Sequence, residues 1–232
     1  MKTVLLRLEG PLQSWGTQGR FGIRDTEREP SKSGVLGLVG AALGMSRQDR
    51  GMLETLRALM LAVRVDREGS VLRDYHTAGG GSFRGHRYGV WSADGKNPTA
   101  LTERFYLQDA SFLAALGGED DVLLARIANA LRDPKWPLAL GRRACVPSEQ
   151  VFVALVEGGP REALCAQPVP ERFAAAGTKE ILVRLVLETA DADRGSPRQD
   201  DPETFELYAR RHLVRYVTTE FVTLPLESAP CT

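Results

Sequence analysis

Apolar residues switch from a strand-like to a helix-like spacing between Met1 and Met45, and no other feature restricts the fold as much. Thr3 to Leu8 alternates, with Val4, Leu6 and Leu8 on one face, and reads as a strand ending at Gly10-Pro11. An irregular loop follows from Leu12 to about Lys32, with Gly16, Gly19, Gly22 and Pro30 among charged residues. Ser31 or Ser33 then offers an N-cap for a helix running through Leu43. Gly37 and Gly40 lie inside that helix, each at a cost of about 1 kcal/mol relative to alanine, so close approach of another backbone is the expected compensation.

Gly44 closes this helix, and Ser46-Arg47-Gln48-Asp49 offers a capping-box-like start to a second one, with Met52, Leu53, Leu56 and Leu59 apolar. Leu61 to Asp66 reads as a strand. From Asp74 to Leu101 the chain is rich in glycine (Gly79-Gly80-Gly81, Gly85, Gly89, Gly95) and carries Pro98, with Phe83, Tyr88 and Trp91 among Arg84, Arg87 and Lys96. This stretch reads as a protruding hairpin. Leu101 to Asp109 resumes a strand, Asp120 to Leu131 reads as a helix, and Val151 to Val156 as a buried strand. The order is βαββαβ, which places the chain in the α+β class with a ferredoxin-like, RRM-like domain over residues 1–158 and a hairpin inserted at about 75–101. Two further strand-like runs, Glu180 to Leu187 and Leu213 to Leu224, define a smaller β-rich C-terminal part over residues 159–232. Such a fold hosts many unrelated functions, so function has to be argued from sites.

With 30 Lys and Arg against 30 Asp and Glu the chain has no net charge, and a nucleic-acid partner would have to be held by a local basic surface. Charge is unevenly placed: Arg132, Lys135, Arg142 and Arg143 cluster near Asp133 alone, whereas Asp191 to Glu206 is acidic. Cys145, Cys165 and Cys231 are odd in number and lack CxxC spacing, which argues against a disulfide framework or a zinc site and fits a reducing cytoplasm. No segment approaches the roughly 18 to 20 apolar residues that span a bilayer. Neither a cofactor nor a metal is expected.

Three constellations carry possible chemistry. Gln13, Ser14 and Trp15 follow the first strand and combine hydrogen-bonding groups with a flat π surface, as in sites for unstacked RNA bases; the alternative is that Trp15 packs on the core. Lys32, Ser33 and Gly34 sit at a helix N-terminus, where a cation and free N–H groups suit a phosphate; the alternative is an ordinary serine cap with a glycine chosen for packing. Gly141, Arg142 and Arg143 form a glycine-containing turn whose guanidinium forks suit phosphate oxygens. Cys145 beside them reads as a small buried residue. His76, with Tyr75 adjacent and Lys32 as a phosphorane-neutralising cation, defines an alternative: metal-independent RNA cleavage with His76 as general base.

Taken in order, Leu6-Arg7-Leu8-Glu9-Gly10-Pro11-Leu12-Gln13-Ser14-Trp15-Gly16 and Pro30-Ser31-Lys32-Ser33-Gly34-Val35-Leu36-Gly37-Leu38-Val39-Gly40 resemble the N-terminal signature of the type I-E CRISPR-associated CasD family. Asp74-Tyr75-His76-Thr77, the returning stretch Arg104 to Phe112, and Leu140-Gly141-Arg142-Arg143-Ala144-Cys145 are similar to the same family, so the resemblance spans roughly Met1 to Phe152. The family belongs to the RAMP superfamily and supplies a subunit of the Cascade surveillance complex. The resemblance implies a ferredoxin-like core whose thumb-like hairpin, here Tyr75 to about Leu101, grips the 5′ handle of the CRISPR RNA (crRNA). It also implies the CasC backbone subunit and the CasA large subunit as neighbours, target DNA as an indirect partner, and RNA binding without cleavage, since maturation falls to CasE. Relatives in another subtype do process precursor RNA. The residues expected to contact RNA are Gln13, Ser14, Trp15, Arg24, Lys32, Ser33, Gly34, His76, Arg84, Arg87, Gly141, Arg142 and Arg143. A third reading is a purely structural scaffold whose basic loops dock acidic protein surfaces.

Overall fold

The computed structural model describes residues 1–17, 22–89, 91, 99–206 and 211–227. Expectations for Gly19, Gly95, Lys96, Pro98 and Cys231 fall outside the described residues. In chain order the elements are β1 (Lys2–Glu9), β2 (Leu12–Gln13), β3 (Ile23–Arg24), α1 (Lys32–Leu43), α2 (Arg50–Arg57), β4 (Met60–Arg67), β5 (Ser70–Phe83), β6 (His86–Gly89), β7 (Thr99–Gln108), β8 (Ser111–Gly118) and α3 (Asp121–Arg132). They continue with β9 (Phe152–Glu157), α4 (Pro160–Ala166), a 3-10 turn at Glu171–Phe173, β10 (Glu180–Thr189), β11 (Ser196–Thr204) and β12 (Arg211–Pro225). The result is a mixed α+β architecture with two sheets.

The larger sheet has seven strands in the order β11-β12-β10-β4-β8-β1-β9, all antiparallel to their neighbours. One interior strand, β8, departs from the expected order. Leu101 to Asp109 was expected to return to the core, but that stretch is β7 and belongs to the second sheet, while β8 takes the place between β1 and β4. The reason is physical: β8 is covered on both faces, so Ser111 to Gly117 is buried throughout and shows no alternation to read.

One face of this sheet, through Val4, Leu6, Leu8, Val63, Val65, Phe112 and Ala114, receives α1 and α3. The other, through Leu5, Ala62, Leu113 and Ala115, receives Ala163 and Leu164 of α4. Ser31 caps α1 by accepting from the Gly34 N–H at 3.3 Å, and Gly44, at φ +70°, closes it with N–H bonds back to Gly40 and Ala41. The helix glycines are not compensated by a neighbouring backbone. A Cβ on Gly40 would meet the Met45 side chain at 2.8 Å, and one on Gly34 would meet the Trp15 ring at 2.6 Å. The cap of α2 is Asp49, which accepts from Met52 N–H at 2.9 Å, instead of the expected Ser46 box.

Residues beyond Gly158 build onto the same sheet, because β10 pairs with β4 from Arg184↔Val65 to Leu187↔Ala62. The acidic segment expected as a connection is the edge strand β11, with Pro197, Pro202 and two register shifts protecting its edge. No helix among the described residues is long and apolar enough to cross a membrane.

The second sheet is a long arm. β5 and β7 pair from Ser70↔Gln108 to Gly79↔Thr99, and β6 folds back on β5 through a two-residue turn at Arg84-Gly85 with φ values of +49° and +82°. Positive φ at both central residues is the type I′ geometry that matches strand twist. The far edge of β7 is covered at its root by β2 and, in parallel, by β3.

Candidate nucleic-acid interface

The structure turns the first two constellations inward. Gln13 is fully buried: its Nε2 donates to the Leu8 and Ala110 carbonyls at 3.1 and 2.8 Å, and its Oε1 accepts from Trp15 Nε1 at 3.0 Å. Ser14 is buried too, with its Oγ beside the Phe105 carbonyl at 3.3 Å. Trp15 is 1% exposed and lies on Gly34, so its faces are not open to a base, and the packing alternative is the one found. Gln13 satisfies every buried polar group it meets, which is what a buried amide requires.

Lys32 is likewise not a phosphate ligand in this structure. At 3% exposure its Nζ pairs with Glu188 Oε1 at 2.7 Å, and its backbone N–H donates to Asp200 Oδ2 at 2.7 Å. The N-terminus of α1 therefore does hold an anion, as its dipole favours, but the anion is an internal carboxylate. Ser33 lies 3.4 Å from the capping Ser31 hydroxyl, and Gly34 is the floor under Trp15.

Basic groups converge instead at the root of the arm. Arg24 and Arg104 are register partners across β3 and β7, and Asp74 of β5 is opposite Arg104 on the other side. Gly141, at φ +86°, lets its turn approach so closely that a Cβ there would be 1.7 Å from the Ser14 carbonyl oxygen. That approach delivers Arg142, whose Nη1 donates to the Phe105 carbonyl at 3.1 Å and whose Nη2 donates to the Arg24 and Asp25 carbonyls at 2.8 and 3.1 Å. Its guanidinium also stacks 4.7 Å from the Tyr106 centroid. The expected bidentate phosphate fork of Arg142 is thus spent on backbone carbonyls, although its charge stays. Arg143 is exposed beside it. Arg24, Arg104, Arg142 and Arg143 form no ion pair with any described residue, whereas most other arginines do.

Arg104 was missed in the sequence reading. Its signal was the period-2 spacing of Arg104 and Tyr106, which puts both on one face of β7. The same face carries Leu72, Asp74 and His76 of β5, and Leu12, Leu72, Arg73, Asp74 and Tyr106 line a shallow cavity of about 230 Å³ there. His76 Nδ1 lies 3.6 Å from Asp74 Oδ2. Tyr75, the next residue along, projects from the opposite face and is 63% exposed. His76, Tyr75 and Lys32, the three groups of the cleavage alternative, are therefore not brought together.

The tip of the arm is aromatic and cationic. Phe83 is 68% exposed with the Arg84 guanidinium 5.4 Å from its centroid, Tyr88 is 60% exposed, and Arg87 stacks 4.4 Å from Trp91. Neither arginine has a carboxylate partner among the described residues. Burial pushes the Cys145 thiol above its ordinary pKa, with Arg142 only partly opposing, which disfavours the reactive thiolate.

Residues 3–218 match the family described as CRISPR-associated protein (Cas_Cas5). The chain is 37% identical over 175 residues to the CRISPR system Cascade subunit CasD of Escherichia coli (strain K12), covering 69% of this chain and 75% of that protein. A solved structure titled "CRISPR RNA-guided surveillance complex" contains a chain that superposes with a TM-score of 0.79 at 36% identity, over 96% of this chain and 91% of that one. A second, titled "Crystal structure of Cas protein", gives a TM-score of 0.72 at 35% identity over 99% and 100% of the two chains. The chain belongs to the CRISPR-associated Cas5 family, as a relative of the type I-E CasD proteins.

Proposed function

We propose that this chain is an RNA-binding subunit of a Cascade surveillance complex that holds the 5′ handle of the crRNA without cutting it. The observation that carries this reading is the set of arginines at the arm's root, Arg24, Arg104, Arg142 and Arg143, left without acidic partners among the described residues in a chain of zero net charge whose other described arginines are mostly paired. An RNA backbone supplies the missing anions. The stacked tip, with Phe83, Arg84, Arg87 and Tyr88, adds π faces for unstacked bases and acts as the second contact. The backbone subunit CasC and the large subunit CasA are the neighbours that this role requires, with target DNA reached indirectly.

The ferredoxin-like arrangement of residues 1–158 is part of the same reading. It is supported by the strand order β4-β8-β1-β9, with α1 and α3 on one face.

Full-length protein mixed with labelled repeat RNA in EDTA tests both halves. Retention of intact RNA by the wild type, weakened by Arg104→Ala with Arg143→Ala, is expected. A defined cleavage product lost on His76→Ala overturns the non-catalytic reading, and binding that ignores the double arginine variant overturns the site.

A further inference from the structure

Two short segments frame the arginine face. The loop ending at Glu29 carries β3 and Arg24; the connection at Glu68-Gly69 is the root from which β5 leaves β4. The loop's start is held by Arg142 and by Trp15 N–H, which donates to Thr26 Oγ1 at 3.0 Å. Its end lines a cavity of about 260 Å³, where Glu27 and Glu29 face Arg198 and Arg215.

A single guanidinium joins both segments to the main sheet. Arg184 of β10 donates from Nε and Nη2 to the two carboxylate oxygens of Glu68 at 2.8 and 3.0 Å, and from Nη1 to Glu29 Oε2 at 3.1 Å. The other Glu29 oxygen accepts from Arg198 of β11 at 3.3 Å. Arg184 and Glu29 are 17% and 12% exposed, so this charge-assisted pair is largely shielded from solvent. Gly69, at φ +69°, completes the root as a tight turn in which a Cβ would be 2.6 Å from the Gln108 carbonyl oxygen. Residues 155 and 116 positions apart from Arg184 in sequence are thus fastened to one side chain.

We propose that Arg184 is a positioning residue for RNA binding: it sets the orientation of the arm and of the Arg24 loop relative to the main sheet, and it touches no RNA itself. This rests on the RNA-binding reading above. Because the guanidinium is planar and forked, it bonds both carboxylates at once, which a lysine ammonium on a flexible stem does not reproduce. Arg184 therefore couples the C-terminal strands, which carry none of the expected contacts, to the face that does.

The test compares wild type with Arg184→Ala, Arg184→Lys and the milder Glu68→Gln in the full chain. Hydrogen exchange is read over residues 22–31 and 68–76, and affinity is read by anisotropy of labelled 5′-handle RNA. Expected are faster exchange in those two segments with β1 and β8 still protected, and a loss of affinity of at least about fivefold for Arg184→Ala, with Arg184→Lys in between. Unchanged exchange in both segments overturns the proposal. So does faster exchange with undiminished affinity. If wild type itself fails to retain the RNA, the functional reading falls, and the exchange pattern alone then decides whether Arg184 positions the arm. Should Arg184→Ala not fold, Glu68→Gln carries the same comparison.

Discussion

The backbone N–H of Lys32 donates to Asp200 Oδ2 at 2.7 Å across 168 residues of sequence, and this bond places a β11 carboxylate on the N-terminus of α1. The same carboxylate accepts two bonds from Arg215, at 2.7 and 2.9 Å, while Lys32 Nζ turns to Glu188. Lys32 and the acidic strand thus explain each other. The lysine that looks like an anion ligand has its anion already, and the acidic run is a docking strip rather than a solvated loop.

Removing that carboxylate takes away both hydrogen bonds it accepts from Arg215, leaving the guanidinium only Glu188 at 3.9 Å, and unpairs the helix terminus in a buried setting. Asp200→Ala is expected to lower unfolding free energy by about 3 to 5 kcal/mol, read by urea denaturation. Handle-RNA affinity of the folded fraction is expected to stay within about twofold, since Asp200 is buried and is none of the proposed contacts. A large affinity loss at full stability would instead return Lys32 and its surroundings to the RNA site.

Gly34→Ala adds a methyl 2.6 Å from Trp15 Cε3 and 2.9 Å from Cζ3. The indole cannot swing away cheaply, being tied to Gln13 at 3.0 Å. Overpacking of about 1 to 3 kcal/mol should exceed the helix-propensity gain of about 1 kcal/mol, so the urea midpoint falls. In a Trp15→Leu background, itself less stable, Gly34→Ala should cost less than in the wild type.

Arg104→Ala and Arg143→Ala each remove a cation that has no carboxylate partner among the described residues; Arg104 Nε donates to Thr102 Oγ1 at 3.1 Å. Each is expected to weaken RNA retention and to reduce the slope of log affinity against log salt by about 0.7, the single-strand value for one phosphate. An unchanged slope with weaker binding would assign the residue to a base contact.

Cys145 is buried and its thiol is held above the ordinary value, so less thiolate is present at pH 8 than for an exposed cysteine. Native labelling with a thiol reagent, located by mass spectrometry, should modify Cys165 well before Cys145. In denaturant the two should react alike.

Local chemistry was legible wherever neighbours in sequence decide the outcome. The strand at Thr3 to Leu8, the Ser31 cap and Gly44 stop of α1, the glycine-rich hairpin and the edges of β10 and β12 all follow from spacing and turn residues within reach of one another. What sequence could not assign was the partner of each polar group. Gln13, Trp15 and Lys32 have the composition of an RNA site, but Gln13 bonds within the core, Trp15 lies on Gly34 and Lys32 pairs with Glu188. β8 was invisible because burial on both faces erases alternation, and Arg104 because its importance depends on the register with Arg24. Residues close together in the chain suffice for the family signature, the α+β class and the glycine-rich hairpin. Which cations are spent internally and which remain open follows from folding alone, because a charge's role depends on the carboxylates packed beside it, and those lie up to 169 residues away.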